Sequence, residues 1–443
     1  MARTPSWWRL DPAAATSMGW QAMVHYSVLG FGCGAPHFLF LLYFMKYGTD
    51  VLRLDAALLG LIFTVSRTWD ALTDLGTGWL SDGTRSRWGR RRPWIAAGGA
   101  LMALTVLMLW APPDLEHDRL GLWIGVACVA YFTAHTMVLV PYNALAVELW
   151  PDDARRTKIF AYRHVAYFFS MGLGLVALNW LSSAEDTRDA GRDIAMGMAA
   201  LTLLSMLVFV VPLRELSPPR SSSMPAFWPR VRRVLANRKA LRIYVLLFIE
   251  GAGTTALSAL GAYVTAYLIG DESALPLLVG IYVGASLLFT PLVPKLAARF
   301  GPRQVWSVSI LLSMLAFAAL HWVRSGDLTL LMVCAVFVGI GDACAYVLGR
   351  ALLASYMRDA EGEQEDEGLY FAMWSFSEKL AYGVMVGLVG WALSAANYSP
   401  ENAHLPEVEV VLRSAISALP ASAYAVGFLL SLGLPARKGP VHG

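Results

Sequence analysis

Apolar residues along this chain run in long stretches, broken by short polar clusters rich in arginine, glycine and proline. Twelve such stretches stand at roughly 18–47, 56–81, 93–112, 119–149, 157–182, 193–213, 240–269, 275–298, 303–323, 327–357, 367–395 and 408–435. Each is about as long as, or longer than, the ~20 apolar residues that carry a helix across a bilayer core of about 30 Å. The pattern predicts twelve membrane helices and an all-α protein. Several stretches are longer than a simple crossing needs, so those helices tilt, kink or project beyond the bilayer. Glycines and prolines inside them (Gly30, Gly32, Gly34 and Pro36; Pro141; Gly251 and Gly253; Pro291 and Pro294) suit membrane helices that pack closely or bend.

The polar breaks set the orientation. Basic residues gather after the even-numbered stretches: Arg85 to Arg92, then Arg155, Arg156 and Lys158, Arg214 to Lys239, Lys295 with Arg299 and Arg303, and Arg358. The alternate breaks hold scattered charges, often offset by acids. By the positive-inside rule both termini are cytoplasmic. Met1 to Asp11 has no short apolar core followed by a small-residue cleavage site, so we expect no removable leader. The longest charged connection, 214–239, divides the chain into an N-terminal bundle over 1–213 and a C-terminal bundle over 240–443, six helices each. Its end, Trp228 to Lys239, predicts a short basic amphipathic helix on the membrane face. A repeat supports the division: Arg87-Trp-Gly89-Arg90-Arg91 after the second stretch is matched by Arg299-Phe-Gly301-Pro302-Arg303 after the eighth. Two similar six-helix halves are the architecture of the major facilitator transporters.

Composition agrees. The chain is 57% hydrophobic and only 15% charged, well below the roughly one quarter usual in soluble proteins. The net charge of +3 says little, because the basic residues are concentrated in particular loops. The four cysteines (Cys33, Cys128, Cys334, Cys344) sit inside apolar stretches without zinc or haem spacing and read as small hydrophobes. There is no nucleophile–base arrangement, so we expect no enzyme and no cofactor. The expected partners are the bilayer and a small solute, not nucleic acid, and the expected state is a monomer.

One stretch is not uniformly apolar. At about 100° per residue, Arg67, Asp70, Asp74, Gly78 and Asp82 fall on one helical stripe. Membrane-buried carboxylates are costly and mark function by default. Asp70 and Asp74, with the Thr73 hydroxyl and one from a neighbouring helix, suit Na+ or a proton. The rival reading is an ion-pair network with Arg67 that serves packing only. Other charges inside apolar stretches are Glu250, Asp342 with Arg350 eight residues on, and Glu378 beside Lys379. Asp342 and Arg350 read as a local pair, or Arg350 as a receiver of a substrate carboxylate. Glu250 reads as a protonation site, a gate or a packing residue. His25, His37, His135 and His164 are scattered over three helices and predict no metal cluster, although His135 and His164 are placed to line a cavity.

The run Arg67-Thr-Trp69-Asp70-Ala-Leu-Thr73-Asp74 to Gly78, then Thr84-Arg85-Ser-Arg87-Trp-Gly89-Arg90-Arg91-Arg92-Pro93-Trp94, resembles the glycoside-pentoside-hexuronide:cation symporters, the melibiose permease-like family. Tyr47-Gly-Thr49-Asp50, Pro141-Tyr142, Arg155 through Tyr162-Arg163, and Trp374-Ser375 through Lys379 fit the same pattern, so the likeness covers nearly the whole chain. It implies a cation bound by Asp70 and Asp74 with Thr136 as a further oxygen ligand. Thr73 stands where the family often has Asn. It also implies that Lys379 approaches this site from the other half, and that Asp82 with Arg90 and Arg91 forms a cytoplasmic gate. At the two acidic positions of the family's sugar site the chain has Gly34 and Leu139. Tyr142, Asn143, Arg163, Trp374 and Tyr382 remain as polar and aromatic groups for a small glycoside. His135 to Leu145 is similar, too, to the animal lysophosphatidylcholine symporters. The resemblance therefore implies a Na+- or H+-coupled symporter of a sugar or glycoside, working by alternating access in a bacterial inner membrane. A sodium-dependent symporter of lysophospholipid-like solutes is the alternative. A non-transporting scaffold has little reason to keep buried acids.

Overall fold

The structure, a computed structural model, describes residues 20–149, 153–212, 227–349, 351–353 and 367–434. Among the described residues there are helices and turns and no strand. In chain order the α-helices are α1 (Trp20–Lys46), α2 (Ala56–Gly83), α3 (Arg92–Trp110), α4 (His117–Leu149), α5 (Asp153–Ser183), α6 (Thr187–Val210), α7 (Phe227–Ala236) and α8 (Arg238–Tyr263). Then come α9 (Leu275–Phe289), α10 (Val293–Phe300), α11 (Pro302–Ala319), α12 (Leu328–Cys344), α13 (Glu367–Ala395), α14 (Pro406–Ile416) and α15 (Ala418–Leu432).

Among the described residues, ten helical stretches are long and apolar enough to cross a membrane. The two remaining predicted crossings, α2 and α13, are helices of 28 and 29 residues. They are also the two that carry Arg67, Asp70 and Asp74, and Glu378 and Lys379. The fold is that of an all-α, multi-pass membrane protein.

Local chemistry sets several helix ends. Asp186 caps α6 by accepting from the amides of Arg188 and Asp189, and Asn237 caps α8 by accepting from those of Lys239 and Ala240. The repeated Arg-x-Gly-x-Arg turns share a backbone feature: Gly89 has φ 100° and Gly301 φ 87°. Both glycines take the region that L side chains avoid, just before α3 and α11 begin.

The chain forms two compact units, one of Met1–Phe44 with Val65–Ser223 and one of Met45–Thr64 with Met224–Gly443. In the first, α3 packs along α4 and α6. In the second, α8 packs on α13, α9 on α12, and α11 on both α12 and α15. The start of α2 belongs to this second unit. There Gly390 comes so near Ala56 that an added Cβ would stand 2.2 Å from its carbonyl oxygen, and Thr64 Oγ1 donates to the Gly383 carbonyl at 2.7 Å.

A polar knot also lies within the second unit. Past Lys46 the helix widens into a π-helical turn, Tyr47–Val51, which sets Lys46 and Asp50 one turn apart. Lys46 Nζ pairs with Asp50 at 2.8 Å and with Glu272 at 3.1 Å. Asp50 also accepts from the hydroxyls of Thr49, Tyr267 and Tyr398, each at 2.7 Å. Beyond the end of α13, burial raises the Tyr398 hydroxyl above its ordinary range, and the adjoining Asp50 carboxylate adds to this, so the phenol stays a donor.

Candidate cation and substrate site

The charged stripe of α2 meets α4 within the first unit. Asp70 is fully buried, and Arg67, one turn earlier, donates from Nη1 to its Oδ2 at 2.8 Å. The Thr136 hydroxyl of α4 lies 2.7 Å from Asp70 Oδ1 and 3.0 Å from Asp74 Oδ1. One hydroxyl thus bridges two carboxylates that share a helix face, because residues four apart lie one above the other. Arg67 is held from the other side, its guanidinium 4.8 Å from the centre of the Phe132 ring. Next to this contact, Trp69 Nε1 donates to Thr133 Oγ1 at 2.9 Å and pins α2 to α4. Thr73 turns inward along its own helix and donates to the Asp70 carbonyl at 3.1 Å.

Chemically this is a nest of hard oxygens: Arg67 pairs with Asp70, and the Thr136 hydroxyl reaches both carboxylates. Thr136 Oγ1 and the two aspartate oxygens form the donor set that suits Na+. The ion-pair reading and the cation-site reading therefore describe one cluster: Arg67 engages Asp70, and Thr136 draws Asp74 to it.

Further along α4, Arg163 Nη2 of α5 donates to Asn143 Oδ1 at 2.5 Å, and its guanidinium stands 4.2 Å over the Tyr142 ring. Tyr142 itself is only 2% exposed. Its ring stacks on Tyr26 at 4.7 Å, its hydroxyl donates to the Tyr26 carbonyl at 3.0 Å, and the Tyr26 hydroxyl donates back to the Tyr142 carbonyl. Tyr142 thus joins α1 to α4 and presents its ring to Arg163.

The remaining candidates lie in the second unit. Lys379 and Trp374 of α13 are buried, as is Tyr382, whose ring centre is 6.3 Å from that of Phe63. Glu250 of α8 is 4% exposed and accepts from Trp306 Nε1 at 3.0 Å, with the Tyr424 hydroxyl 3.4 Å from its other oxygen. Asp342 accepts from Ser286 Oγ at 2.9 Å. Arg350 lies outside the described residues, as do the side chains of Asp82 and His164. Arg90 and Arg91, the basic part of the expected gate, are buried despite their charge, at 6% and 5% exposure.

Sequence reasoning missed several contacts: the pairing of His37 with His135, the donors to Glu250, and the knot around Lys46 and Asp50. Only the last left a local signal, a Lys and an Asp four residues apart at the end of an apolar stretch.

The fold and the buried acids define a membrane transporter with two helical units. Residues 25–435 match the family described as MFS/sugar transport protein, and the chain belongs to that family. It is 24% identical over 427 residues to the glucuronide carrier protein homolog of Escherichia coli K12, covering 93% of this chain and 92% of that one. It is 25% identical to the inner membrane symporter YicJ of the same organism, covering 91% and 90% of the two chains. It is 24% identical to the sodium-dependent lysophosphatidylcholine symporter 1 of Gallus gallus, covering 90% and 82%. Among solved structures, the nucleoside transporter NupG superposes with a TM-score of 0.69 at 14% identity, over 93% of this chain and 98% of that one. At that identity the likeness is one of fold.

Proposed function

We propose that this transporter is a cation-coupled symporter whose coupling ion binds at Asp70, Asp74 and Thr136, and whose solute is a sugar or glycoside. The observation that carries this reading is the single Thr136 hydroxyl within hydrogen-bond reach of both carboxylates, at 2.7 and 3.0 Å, in a buried cluster that also holds Arg67. A cation at this point relieves the repulsion between the acids in a poorly solvated site. It favours the state that closes around the solute by the difference in its affinity for the two states, and by no more than that. Asn143 with Arg163 in the first unit, and Trp374 and Tyr382 with Lys379 in the second, are the groups assigned to solute binding and coupling. Asp82 with Arg90 and Arg91 is assigned to the gate, Glu250 and Asp342 to secondary protonation or packing. We assign the protein to the inner membrane with both termini in the cytoplasm; the basic loops support that orientation.

A second reading has its own support. Gly34 on α1 and Leu139 on α4 stand where the family's sugar site has acids, which suits an amphipathic solute of the lysophospholipid kind. Uptake into proteoliposomes separates the two. Labelled glycosides driven by a sodium gradient should accumulate with wild type and fail with Asp74→Asn. Accumulation of lysophospholipid alone moves the protein to the second reading. Gradient-independent uptake unaffected by Asp74→Asn contradicts the cation site.

A further inference from the structure

Within the second unit, the acid of α8 is held in a different way from those of α2. Glu250 is buried, and the groups that reach its carboxyl are neutral donors or another acid. Trp306 Nε1 of α11 donates to Oε1 at 3.0 Å. The Tyr424 hydroxyl of α15 stands 3.4 Å from Oε2 and 3.3 Å from the backbone carbonyl of Glu250 itself. The place of Tyr424 is fixed by packing. A Cβ added to Gly253, one turn beyond Glu250, would lie 2.3 Å from its ring edge, and its ring centre is 5.3 Å from that of Phe317. Trp306 and Tyr424 are themselves sealed, at 0% and 1% exposure.

The protons available to these atoms decide which form of the acid fits. A phenol has one proton to give. When Tyr424 gives it to the Glu250 carbonyl, Oε2 has a partner only if it carries a proton of its own and donates it to the phenol oxygen. In that arrangement Oε1 accepts from Trp306, Oε2–H donates to Tyr424, and Tyr424 donates back to α8, so every donor has an acceptor. An ionised Glu250 leaves a buried charge with no cation beside it, which is costly. Among the described residues no lysine, arginine or histidine acts on Glu250, and the charge that does, Asp342 of α12, has the same sign. The other titratable neighbours are Cys344 of α12, within reach of Glu250, and Tyr282 of α9, which acts on Tyr424. The backbone of Glu378 on α13 passes 3.9 Å from a Cβ added to Gly251, yet the charges of Glu378 and Lys379 do not act on the carboxyl. On α14, Arg413 is taken by Glu409. A metal ion suits the place poorly, since it needs several oxygens and one side of this carboxyl is met by an indole N–H.

We propose that Glu250 is a proton-binding site: it holds a proton between Oε2 and the Tyr424 hydroxyl, and giving that proton up frees the phenol from the backbone of α8. Its ligand is a proton, bound in the second unit and separate from any ion at Asp70 and Asp74. The proposal rests on the assignment of Glu250 to protonation made above, not on the sodium reading. The step is a plain acid dissociation, in which the O–H bond at Oε2 breaks and the proton passes to water. The carboxylate left behind takes the phenol proton for itself, and the tie from α15 to the Glu250 carbonyl is lost. The contact between α8 and α15 thus depends on pH.

The test is infrared difference spectroscopy on the full-length protein in lipid at neutral pH, wild type against Glu250→Gln. Glutamine keeps the acceptor for Trp306 and puts an N–H donor where Oε2–H stood, so at neutral pH the variant should keep the thermal unfolding midpoint of wild type in detergent. The difference should show the loss of one carboxylic-acid C=O band, of the kind that shifts in D2O, and no loss of carboxylate bands. Tyr424→Phe should keep that band and move it to higher frequency, because the acid has lost its acceptor; this variant carries the test if Glu250→Gln does not fold. As pH rises the band should disappear from wild type, and the wild-type unfolding midpoint should fall below that of Glu250→Gln. A fold that holds a proton the unfolded chain has released loses stability as pH rises, which gives the sign. Loss of carboxylate bands in Glu250→Gln overturns the inference. So does a band unmoved by Tyr424→Phe, or a wild-type midpoint that tracks the Glu250→Gln midpoint at every pH. None of these outcomes bears on sodium at Asp74, which the uptake experiment tests by itself.

Discussion

At the scale of single residues, Thr136 does something no aspartate can do alone. Its one hydroxyl proton is shared between two carboxylate oxygens on α2, and its lone pairs remain for a cation. Thr136→Ala removes both roles and leaves the acids facing each other, whereas Thr136→Ser keeps them. Since a hydrogen bond to a charged group contributes about 1.5–3 kcal/mol, the alanine variant should raise the sodium concentration for half-maximal uptake by about 10- to 100-fold. Sodium titrations of uptake for the three proteins check this, and a serine variant as impaired as the alanine one would contradict it. Asp70 and Asp74 were legible in the sequence because charge in an apolar stretch needs no alignment to be noticed. Thr136 was reachable only through resemblance, since nothing in the sequence of α4 marks it above its neighbour Thr133. His37 with His135 was not legible: a face-to-face pair across two helices depends on the rotation of each, which periodicity fixes only to within a residue or so. The Tyr142 hydroxyl joins α4 to the backbone of α1, and its ring lies 4.2 Å under the Arg163 guanidinium.

At the scale of elements, the helix ends carry the specific chemistry. The π-helical turn after α1 sets Lys46 and Asp50 side by side, and three hydroxyl groups and Glu272 complete the knot. Both members of the pair are nearly buried, with side chains 6% and 12% exposed. Removing the Asp50 charge takes from Lys46 its nearer partner and leaves it Glu272 at 3.1 Å. Asp50→Asn should therefore destabilise the protein, by up to about 3 kcal/mol. The midpoint of thermal unfolding in detergent should fall, and Lys46→Met should cost less in the Asp50→Asn background than it does alone. Strictly additive losses in the double variant would contradict the pairing. Close helix approach offers a second test. With Ala56 O only 2.2 Å from an added Cβ, Gly390→Ala forces α2 and α13 apart and should cost about 1–3 kcal/mol, measured the same way. The positions of the helices were legible from apolar run lengths. The π-helical turns and the glycine contact were not, because both arise from what packs against the helix. The Arg-x-Gly-x-Arg repeat lies between: its sequence match was visible, and its positive-φ glycines at 89 and 301 give that match a physical content.

At the scale of the molecule, α2 is divided. Its first residues belong to the second unit and the rest, with both acids, to the first. Run lengths, the charged connection and the repeat gave the expectation of two bundles over 1–213 and 240–443. They did not give the substrate, because its determinants are spread over several helices. The central proposal is that the coupling cation binds at the Asp70, Asp74 and Thr136 cluster, with sodium as the ion to try first. Equilibrium binding of radioactive sodium to the purified protein tests it most directly, without needing the solute. The account predicts saturable binding that is lost in Asp74→Asn and weakened in Thr136→Ala. Saturable binding of equal affinity in wild type and Asp74→Asn would contradict it.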